Sequence, residues 1–205
     1  MLRCSPSSPI GLHGNESDTT SVCSVLPTDF VEAMRFTYCP DCGAKLSHRD
    51  LGDEKDVPWC DNCNRPFFPV FPCATISLVY NDKGDVLLLK QNYISSRFRN
   101  LVSGYMLPGE DAATCARREI KEETGLDVER LELIRTDWFE KSQVLMIGFF
   151  AKVPCDESLK LSVEVDGADW FAESEILHHL SDNPGSTSRR LAESYLSRKG
   201  LITVK

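Results

Sequence analysis

Three glutamates, Glu119, Glu122 and Glu123, stand in a segment whose residue types favour a helix. At spacings of three and four residues, their side chains share one helix face. Like charges four apart repel by roughly 0.2–0.5 kcal/mol, and carboxylates near a helix C-terminus also oppose the macrodipole. A hard divalent cation with oxygen ligands would relieve both effects, whereas a solvated acidic face would tolerate them. The three residues alone support the two interpretations equally.

The helix that presents these glutamates has recognisable ends. Asp111 is a candidate N-cap, because its side chain can accept a hydrogen bond from a backbone N–H of the first turn. Gly125 ends the helix, since glycine adopts the left-handed conformation at low cost. Arg118 can pair with Glu122 one turn further on, which leaves the other two glutamates without an evident partner on the helix.

The segment from Gly104 to Leu126 resembles the Nudix box. Over 23 residues it matches nine specified positions, which are Gly104, Glu110, Arg118, Glu119, Ile120, Glu122, Glu123, Gly125 and Leu126. The resemblance implies hydrolysis of a nucleoside diphosphate linked to another group, with Mg²⁺ or Mn²⁺ as the catalytic cofactor. It also implies an α+β fold, in which helices sandwich a mixed β-sheet and the site is a loop–helix–loop.

The resemblance assigns roles to individual residues. The implied ligands of the catalytic metal are the helix carboxylates, Glu119, Glu122 and Glu123. A backbone carbonyl near Gly109 is a further ligand candidate, and Glu110 with Arg118 would lock the loop to the helix by a charge-assisted pair. Glu164 is a candidate for another acidic ligand or the base, although it could equally be an ordinary polar residue of a strand.

Two cysteine pairs predict a second metal site. Cys39 and Cys42 precede Cys60 and Cys63, and 17 residues separate the pairs. This spacing is typical of a tetrahedral zinc ribbon, and the alternatives are two redox dithiols or chance. Four thiolates leave no open coordination position, so the zinc would be structural. A segment this small lacks a core, and zinc would contribute most of its folding energy.

Composition excludes several classes of protein. The chain has 205 residues, of which 41% are hydrophobic, and a net charge of −8. No run approaches the roughly 18 apolar residues of a membrane span, and the acidic balance argues against loose binding to nucleic acid or an anionic membrane. Five cysteines outside the pairs show no disulfide-framework spacing, and no secretory signal is apparent. We therefore expect a cytoplasmic protein.

Residue patterns predict three regions and a series of elements. The regions are a flexible segment over 1–27, a short helix capped by Thr28 together with the ribbon over 28–72, and the Nudix hydrolase domain over 73–205. In the last region a hairpin of strands 73–80 and 85–90 is expected around a turn at 81–84. Residues 91–103 are predicted to loop over the site. Further strands are expected at 131–135 and 144–153, and another over 161–165 and 168–171 that is broken at Asp166 and Gly167. Helices are expected at 173–180 and 186–198.

A ribbon directly before a Nudix domain resembles the NADH pyrophosphatases, which split NAD(H) into nicotinamide mononucleotide and AMP. Bacterial members also remove NAD caps from RNA. The resemblance covers residues 39–199 and includes the stretches 65–69, 168–171 and 185–191. Two features depart from it. Residues 136–143 lack the proline pattern of that family's SQPWPFP-type signature, and the segment before the ribbon is much shorter.

The same resemblance implies substrate contacts. Tyr105 matches the position of an aromatic ring that lies against nicotinamide. Phe139 and Phe68 align with aromatics that approach the site from the partner subunit of a homodimer. Ser188, at the start of the last helix, matches a substrate-contacting position, where the helix N-terminus favours an anion. For each aromatic residue, a place in the core is the alternative.

Three functions remain in competition. The first is a pyrophosphatase for NADH or NAD, or for a relative such as ADP-ribose, another dinucleotide or an NAD-capped RNA end. The second is a non-enzymatic, nucleotide-sensing regulator, and the third is a ribbon that binds nucleic acid while the Nudix domain serves as a scaffold. The intact box and the acidic ribbon favour the enzyme.

Overall fold

The computed structural model describes residues 36–155 and 158–203. The described residues form two compact units, which divide between Phe68 and Pro69. The segment predicted to be flexible, 1–27, and the helix predicted to begin at Thr28 lie outside the described residues. None of the helices within the described ranges combines the length and the apolar character of a membrane span.

The first unit is built on a three-stranded antiparallel sheet with the order β1-β2-β3. Its strands are β1 (Ser47–Leu51), β2 (Glu54–Cys60) and β3 (Arg65–Pro66). Among the described residues of this unit, the buried hydrophobic cluster has four members, which are Cys39, Leu46, Cys60 and Phe67. Two of the four are cysteines of the predicted metal site, so apolar burial alone gives this unit little stability.

The second unit contains a mixed six-stranded sheet. Its strands are β4 (Cys73–Tyr80), β5 (Val86–Lys90), β6 (Val102–Tyr105), β7 (Arg130–Phe139), β8 (Val144–Lys152) and β9 (Gly167–Phe171). The order is β7-β8-β4-β5-β9, and β6 also pairs with β4. The β4–β8 pair is parallel over eight residues, and the other pairs are antiparallel.

Helices cover both faces of this sheet. They are α1 (Ala112–Thr124), α2 (Ile176–His179) and α3 (Thr187–Arg198). Alternate residues of the central strand β4 enter different cores, because strand side chains alternate between faces. Leu78 belongs to the cluster that includes Leu191 of α3, while Val79 belongs to the cluster that includes Ile120 of α1. The predicted α+β sandwich is confirmed.

Three predicted elements differ from the structure. Residues 161–165 form no strand, because the backbone N–H groups of Lys160 and Ser162 donate to carbonyls at the end of α1 instead of to a neighbouring strand. The helix predicted over 173–180 is reduced to α2. Strand β7 runs four residues beyond the predicted 131–135, since it pairs with β8 as far as Phe139 after an irregularity near Leu133. Strand β6 was not predicted, and it begins within the segment 91–103 that was expected to be a loop. The strands predicted at 73–80, 85–90, 144–153 and 168–171 and the last helix agree closely with β4, β5, β8, β9 and α3.

Candidate active site

The helix α1 begins and ends as its cap residues predict. The Asp111 side chain accepts a hydrogen bond from Thr114 N at 2.8 Å. Gly125 adopts φ 77°, and its N–H donates to Lys121 O. The loop before the helix turns at Gly109, which has φ 86° and therefore a left-handed conformation that favours glycine.

Arg118 joins this loop to the helix. Its Nε and Nη2 donate to the two carboxylate oxygens of Glu110 at 2.8 and 2.9 Å. Glu110 also accepts a hydrogen bond from Leu107 N at 3.0 Å. Hydrogen bonding from Arg118 and then from this backbone N–H lowers the pKa of Glu110 to about 2. The fork geometry of guanidinium makes this a rigid, bidentate clamp.

The remaining donors of Arg118 reach the acidic face. Nη1 lies 2.7 Å from Glu119 Oε1 and 3.0 Å from Glu122 Oε2. The Glu122 pair occurs as the sequence predicts. The expectation that Glu119 lacks a partner on the helix was wrong, because the long side chain and five donors of arginine allow contact with the adjacent residue as well.

Glu119 lies against the backbone of β6. A Cβ added at Gly104 would overlap the Glu119 carboxylate far inside van der Waals contact. Glycine at position 104 therefore allows the Glu119 carboxylate to lie in this place, and its φ is ordinary. The side chain of Glu119 is only 14% exposed, whereas that of Glu122 is 57% exposed. The three box glutamates share one face but occupy very different environments.

Glu123 is the most deeply buried of them, with 4% exposure. Its Oε1 accepts a hydrogen bond from Gln91 Nε2 at 3.0 Å. Its Oε2 is buried and has no hydrogen-bond partner among the described residues. Burial, followed by the negative charges of Glu119 and Glu164, raises the pKa of Glu123 to about 7. A carboxylate in this position is poorly stabilised unless a cation joins it.

The segment between β5 and β6 contributes two residues that sequence reasoning did not single out. Gln91 directly follows β5 and is 1% exposed, and Tyr93 is an exposed aromatic whose hydroxyl accepts from Gln91 Nε2 at 3.3 Å. The ring of Tyr93 is exposed, but partial burial of its hydroxyl group, followed by the charges of Glu123, Glu164 and Glu119, raises the pKa of Tyr93. The sequence feature that could have identified Gln91 is its place after the apolar run of β5, at the start of a segment predicted to lie over the site.

The other predicted site residues lie in different places. Glu164 is exposed in a turn, near enough for its charge to act on Glu123. Tyr105 is 57% exposed at the end of β6, and its carbonyl accepts from Arg118 Nη2 at 3.2 Å. Phe139 packs against the core cluster that includes α3, and Ser188 lies in the first turn of α3. Phe68 is an exposed residue of the first unit.

The four ribbon cysteines converge in the first unit. Their Sγ atoms all lie within 4.8 Å of one another, with Cys39–Cys63 at 3.8 Å and Cys42–Cys60 at 3.6 Å. Tetrahedral zinc with Zn–S bonds of about 2.3 Å requires Sγ atoms about 3.8 Å apart. The neighbouring thiols, Cys42 first, raise the pKa of Cys63 to about 12, so four thiolates together need a cation. The donor set and its dimensions fit zinc.

Comparison with known proteins identifies relatives of the chain. The NUDIX domain family matches residues 71–191. The NAD-capped RNA hydrolase NudC of Stutzerimonas stutzeri is 30% identical over 171 residues, covering 79% of this chain and 56% of that protein. The NAD-capped RNA hydrolase ndx-9 of Caenorhabditis elegans is 29% identical over 153 residues, covering 73% of this chain and 40% of that protein. The chain thus spans about half the length of the curated relatives it matches.

Solved structures support the fold. A NUDIX hydrolase from Nitrosomonas europaea superimposes with a TM-score of 0.57 at 20% identity, covering 83% of this chain and 97% of that one. An Ap4A hydrolase from C. elegans gives a TM-score of 0.53 at 21% identity, covering 65% of this chain and all of that one. Since the family match extends over more than half of the sequence and contains the whole acidic helix, the protein belongs to the Nudix family.

Proposed function

We propose that the chain is a metal-dependent Nudix pyrophosphatase, and that it hydrolyses NADH or NAD⁺ to nicotinamide mononucleotide and AMP. The observation that carries the proposal is the buried Oε2 of Glu123, which lacks a hydrogen-bond partner among the described residues. The names of the two curated relatives support a substrate with an NAD moiety, including an NAD-capped RNA end.

The donor set suits a hard divalent cation. Carboxylate oxygens are the ligands that Mg²⁺ and Mn²⁺ prefer, and Glu119, Glu122 and Glu123 present them on one helix face. Burial and the nearby negative charges disfavour an isolated anion at Glu123, and a cation bound there would offset both effects. When bound, the cation neutralises charge on the diphosphate and lowers the pKa of a bound water.

The chain's own residues hold this arrangement in place. The Arg118–Glu110 clamp fixes the loop against α1, and Glu164 is a candidate for a further ligand or for the base. The exposed ring of Tyr105 is proposed to stack on the nicotinamide or adenine base. Ser188 is proposed to contact the substrate. The chain is proposed to form a homodimer in which Phe68 and Phe139 approach the site of the partner subunit. The ribbon is proposed to hold a structural zinc ion.

A substrate panel tests the proposal. The purified chain is incubated with Mg²⁺ or Mn²⁺ and with NADH, NAD⁺, NAD-capped RNA, ADP-ribose, diadenosine polyphosphates or nucleoside triphosphates, and the products are resolved by chromatography. The expected result is AMP together with nicotinamide mononucleotide from NADH or NAD⁺. Faster turnover of ADP-ribose or a diadenosine polyphosphate would reject the NAD preference, and binding without turnover of any substrate would favour the regulator.

Replacing Tyr105 with Ala should raise KM for dinucleotides and leave kcat nearly unchanged. A ring that stacks equally in the ground and transition states contributes uniform binding, which appears in KM. Stacking of one base is worth roughly 1–3 kcal/mol, or about 5- to 150-fold. Steady-state kinetics on NADH and ADP-ribose check this, with Tyr105→Phe as the control that keeps the ring. An unchanged KM for both substrates would rule out stacking.

Replacing Gly104 with Ala should reduce hydrolysis by about 100-fold, because the new methyl group displaces the Glu119 carboxylate and a misplacement of about 1 Å at a catalytic site has this effect. The melting temperature should change little, since the displaced group is the end of a flexible side chain. Gly167→Ala in β9 is the control, because its added Cβ meets nothing closer than Lys90 Cβ at 3.9 Å. Full activity of Gly104→Ala would contradict a role for Glu119.

A further inference from the structure

Gln91 is a polar residue in a buried position. It follows the strand β5, whose residues Val86 to Leu89 are fully buried, and its own side chain is 1% exposed. A buried amide is costly unless its hydrogen-bonding groups find partners. The Nε2 of Gln91 finds two in the candidate active site, Tyr93 two residues along the chain and Glu123 32 residues along it, while Oε1 is buried with none among the described residues.

The orientation of the Gln91 amide follows from its neighbours. Nε2 carries two hydrogens and meets two acceptors, Glu123 Oε1 at 3.0 Å and the Tyr93 hydroxyl at 3.3 Å. The opposite orientation would place Oε1 against a carboxylate oxygen, so that two acceptors would face each other. The Gln91 amide is therefore assigned with Nε2 towards the Glu123 carboxylate, because only this orientation pairs a donor with an acceptor.

The two carboxylate oxygens of Glu123 have different hydrogen-bonding environments. Gln91 holds Oε1 at 3.0 Å and the backbone N–H of Ser103 also acts on the carboxylate, whereas the buried Oε2 meets no donor at full hydrogen-bond geometry among the described residues. A carboxylate held at one oxygen cannot rotate freely about its terminal bond. The contact thus leaves the second oxygen presented in a defined direction, as a ligand must be.

We propose that Gln91 is a positioning residue for Glu123, which orients the carboxylate so that Oε2 is presented to the divalent cation. Gln91 acts through Glu123 and does not touch the substrate. Metal ligands are commonly oriented in this way by a hydrogen bond to the atom that does not bind the metal. The inference rests on the proposed function, because it requires Glu123 to be a metal ligand.

Tyr93 connects this pair to the surface. Its hydroxyl is the second acceptor for Gln91 Nε2, while the residue is 70% exposed. Loss of that acceptor leaves the bond between Gln91 and Glu123 in place. Tyr93→Phe should therefore weaken metal binding less than removal of the Gln91 amide does.

The test uses Gln91→Met in the full chain, since methionine keeps the length and the burial and removes only the amide. Metal-free protein is titrated with Mn²⁺, and free Mn²⁺ is measured by electron paramagnetic resonance. We expect Mn²⁺ to bind about 10- to 100-fold more weakly than in the unmodified chain, which is the usual effect of losing an orienting partner. Activity of the variant should recover in part at high Mn²⁺ concentration.

Asn81→Ala is the matched control for stability. Asn81 is a buried amide in the turn between β4 and β5, where its Oδ1 accepts from Lys83 N and Asp85 N. Its loss should lower the melting temperature and leave the Mn²⁺ affinity unchanged. A merely structural Gln91 would behave like Asn81. Unchanged or tighter Mn²⁺ binding by Gln91→Met would therefore overturn the positioning role.

The Glu123→Gln variant distinguishes failure of the proposed metal-dependent function from failure of the positioning role of Gln91. If the unmodified chain binds no Mn²⁺, or if Glu123→Gln binds it as well as the unmodified chain does, the proposed function fails. If Glu123→Gln weakens binding and Gln91→Met does not, only the role of Gln91 fails. Adding Gln91→Met to Glu123→Gln should cause no further loss of affinity, because the two residues act as one unit. Full additivity would also contradict the inference.

Discussion

Glu123→Gln is expected to abolish hydrolysis while the metal-free fold stays intact or becomes slightly more stable. The buried carboxylate would serve the metal, whereas in the absence of metal its charge is opposed by burial and by Glu119. The neutral amide keeps the shape of the side chain and an oxygen that can accept from Gln91. Loss of a metal ligand should appear in kcat/KM as a reduction far greater than tenfold.

Two measurements on one preparation check this expectation. Steady-state kinetics with NADH give the loss of activity, and thermal melts in a chelator give the stability of the metal-free fold. Glu122→Gln is the matched control for stability, because its carboxylate is largely exposed and its removal should hardly alter the melt. A loss of activity below tenfold, or a collapse of the Glu123→Gln melting temperature, would contradict the assignment of Glu123 as a ligand.

Cys60→Ser is expected to release zinc and to unfold the first unit. Cys60 is fully buried, and its Sγ accepts a hydrogen bond from Cys63 N at 3.3 Å. The hydrophobic cluster there is too small to maintain the fold without metal. Structural zinc supplies about 10–16 kcal/mol in zinc-finger peptides at neutral pH, which exceeds what such a cluster provides. The substitution should have no direct effect on hydrolysis by the Nudix-box residues.

Elemental analysis and hydrogen exchange measure this outcome. The unmodified chain should contain one zinc per molecule, and Cys60→Ser should lose both the zinc and the protection of amides in β1 and β2. Cys155→Ser is the matched control, because Cys155 lies outside the metal cluster. Absence of zinc from the unmodified chain, or retained protection in Cys60→Ser, would show that the ribbon does not depend on zinc.

Local chemistry made much of the site predictable. The ends of α1 were predicted from Asp111 and Gly125, because a cap is determined by residues within one turn of it. The pairing of Arg118 with Glu122 follows from helix geometry in the same way. The convergence of the two cysteine pairs was also predictable, since each pair lies on one tight turn.

Tertiary structure alone decided the environment of each carboxylate. Periodicity places Glu119, Glu122 and Glu123 on one helix face, but only packing of α1 on the sheet buries Glu123 and leaves Glu122 exposed. The approach of Glu119 to Gly104 likewise depends on where β6 lies relative to the helix.

Long-range contacts explain why the strand predicted over 161–165 is absent and why Gln91 was not recognised from the sequence. Residues 161–165 have the composition of a strand, yet Ser162 N donates to Glu123 O at the end of α1, a competition that no local pattern reveals. Gln91 reaches Glu123 across 32 residues, and its neighbours in sequence carry no sign of that partner. The sequence by itself therefore determined the ends of α1, the Arg118–Glu122 pair and the convergence of the cysteines, because caps, turns and helical spacing are local. The tertiary structure decided which carboxylate is buried and what holds it, because these depend on contacts between segments far apart in the chain.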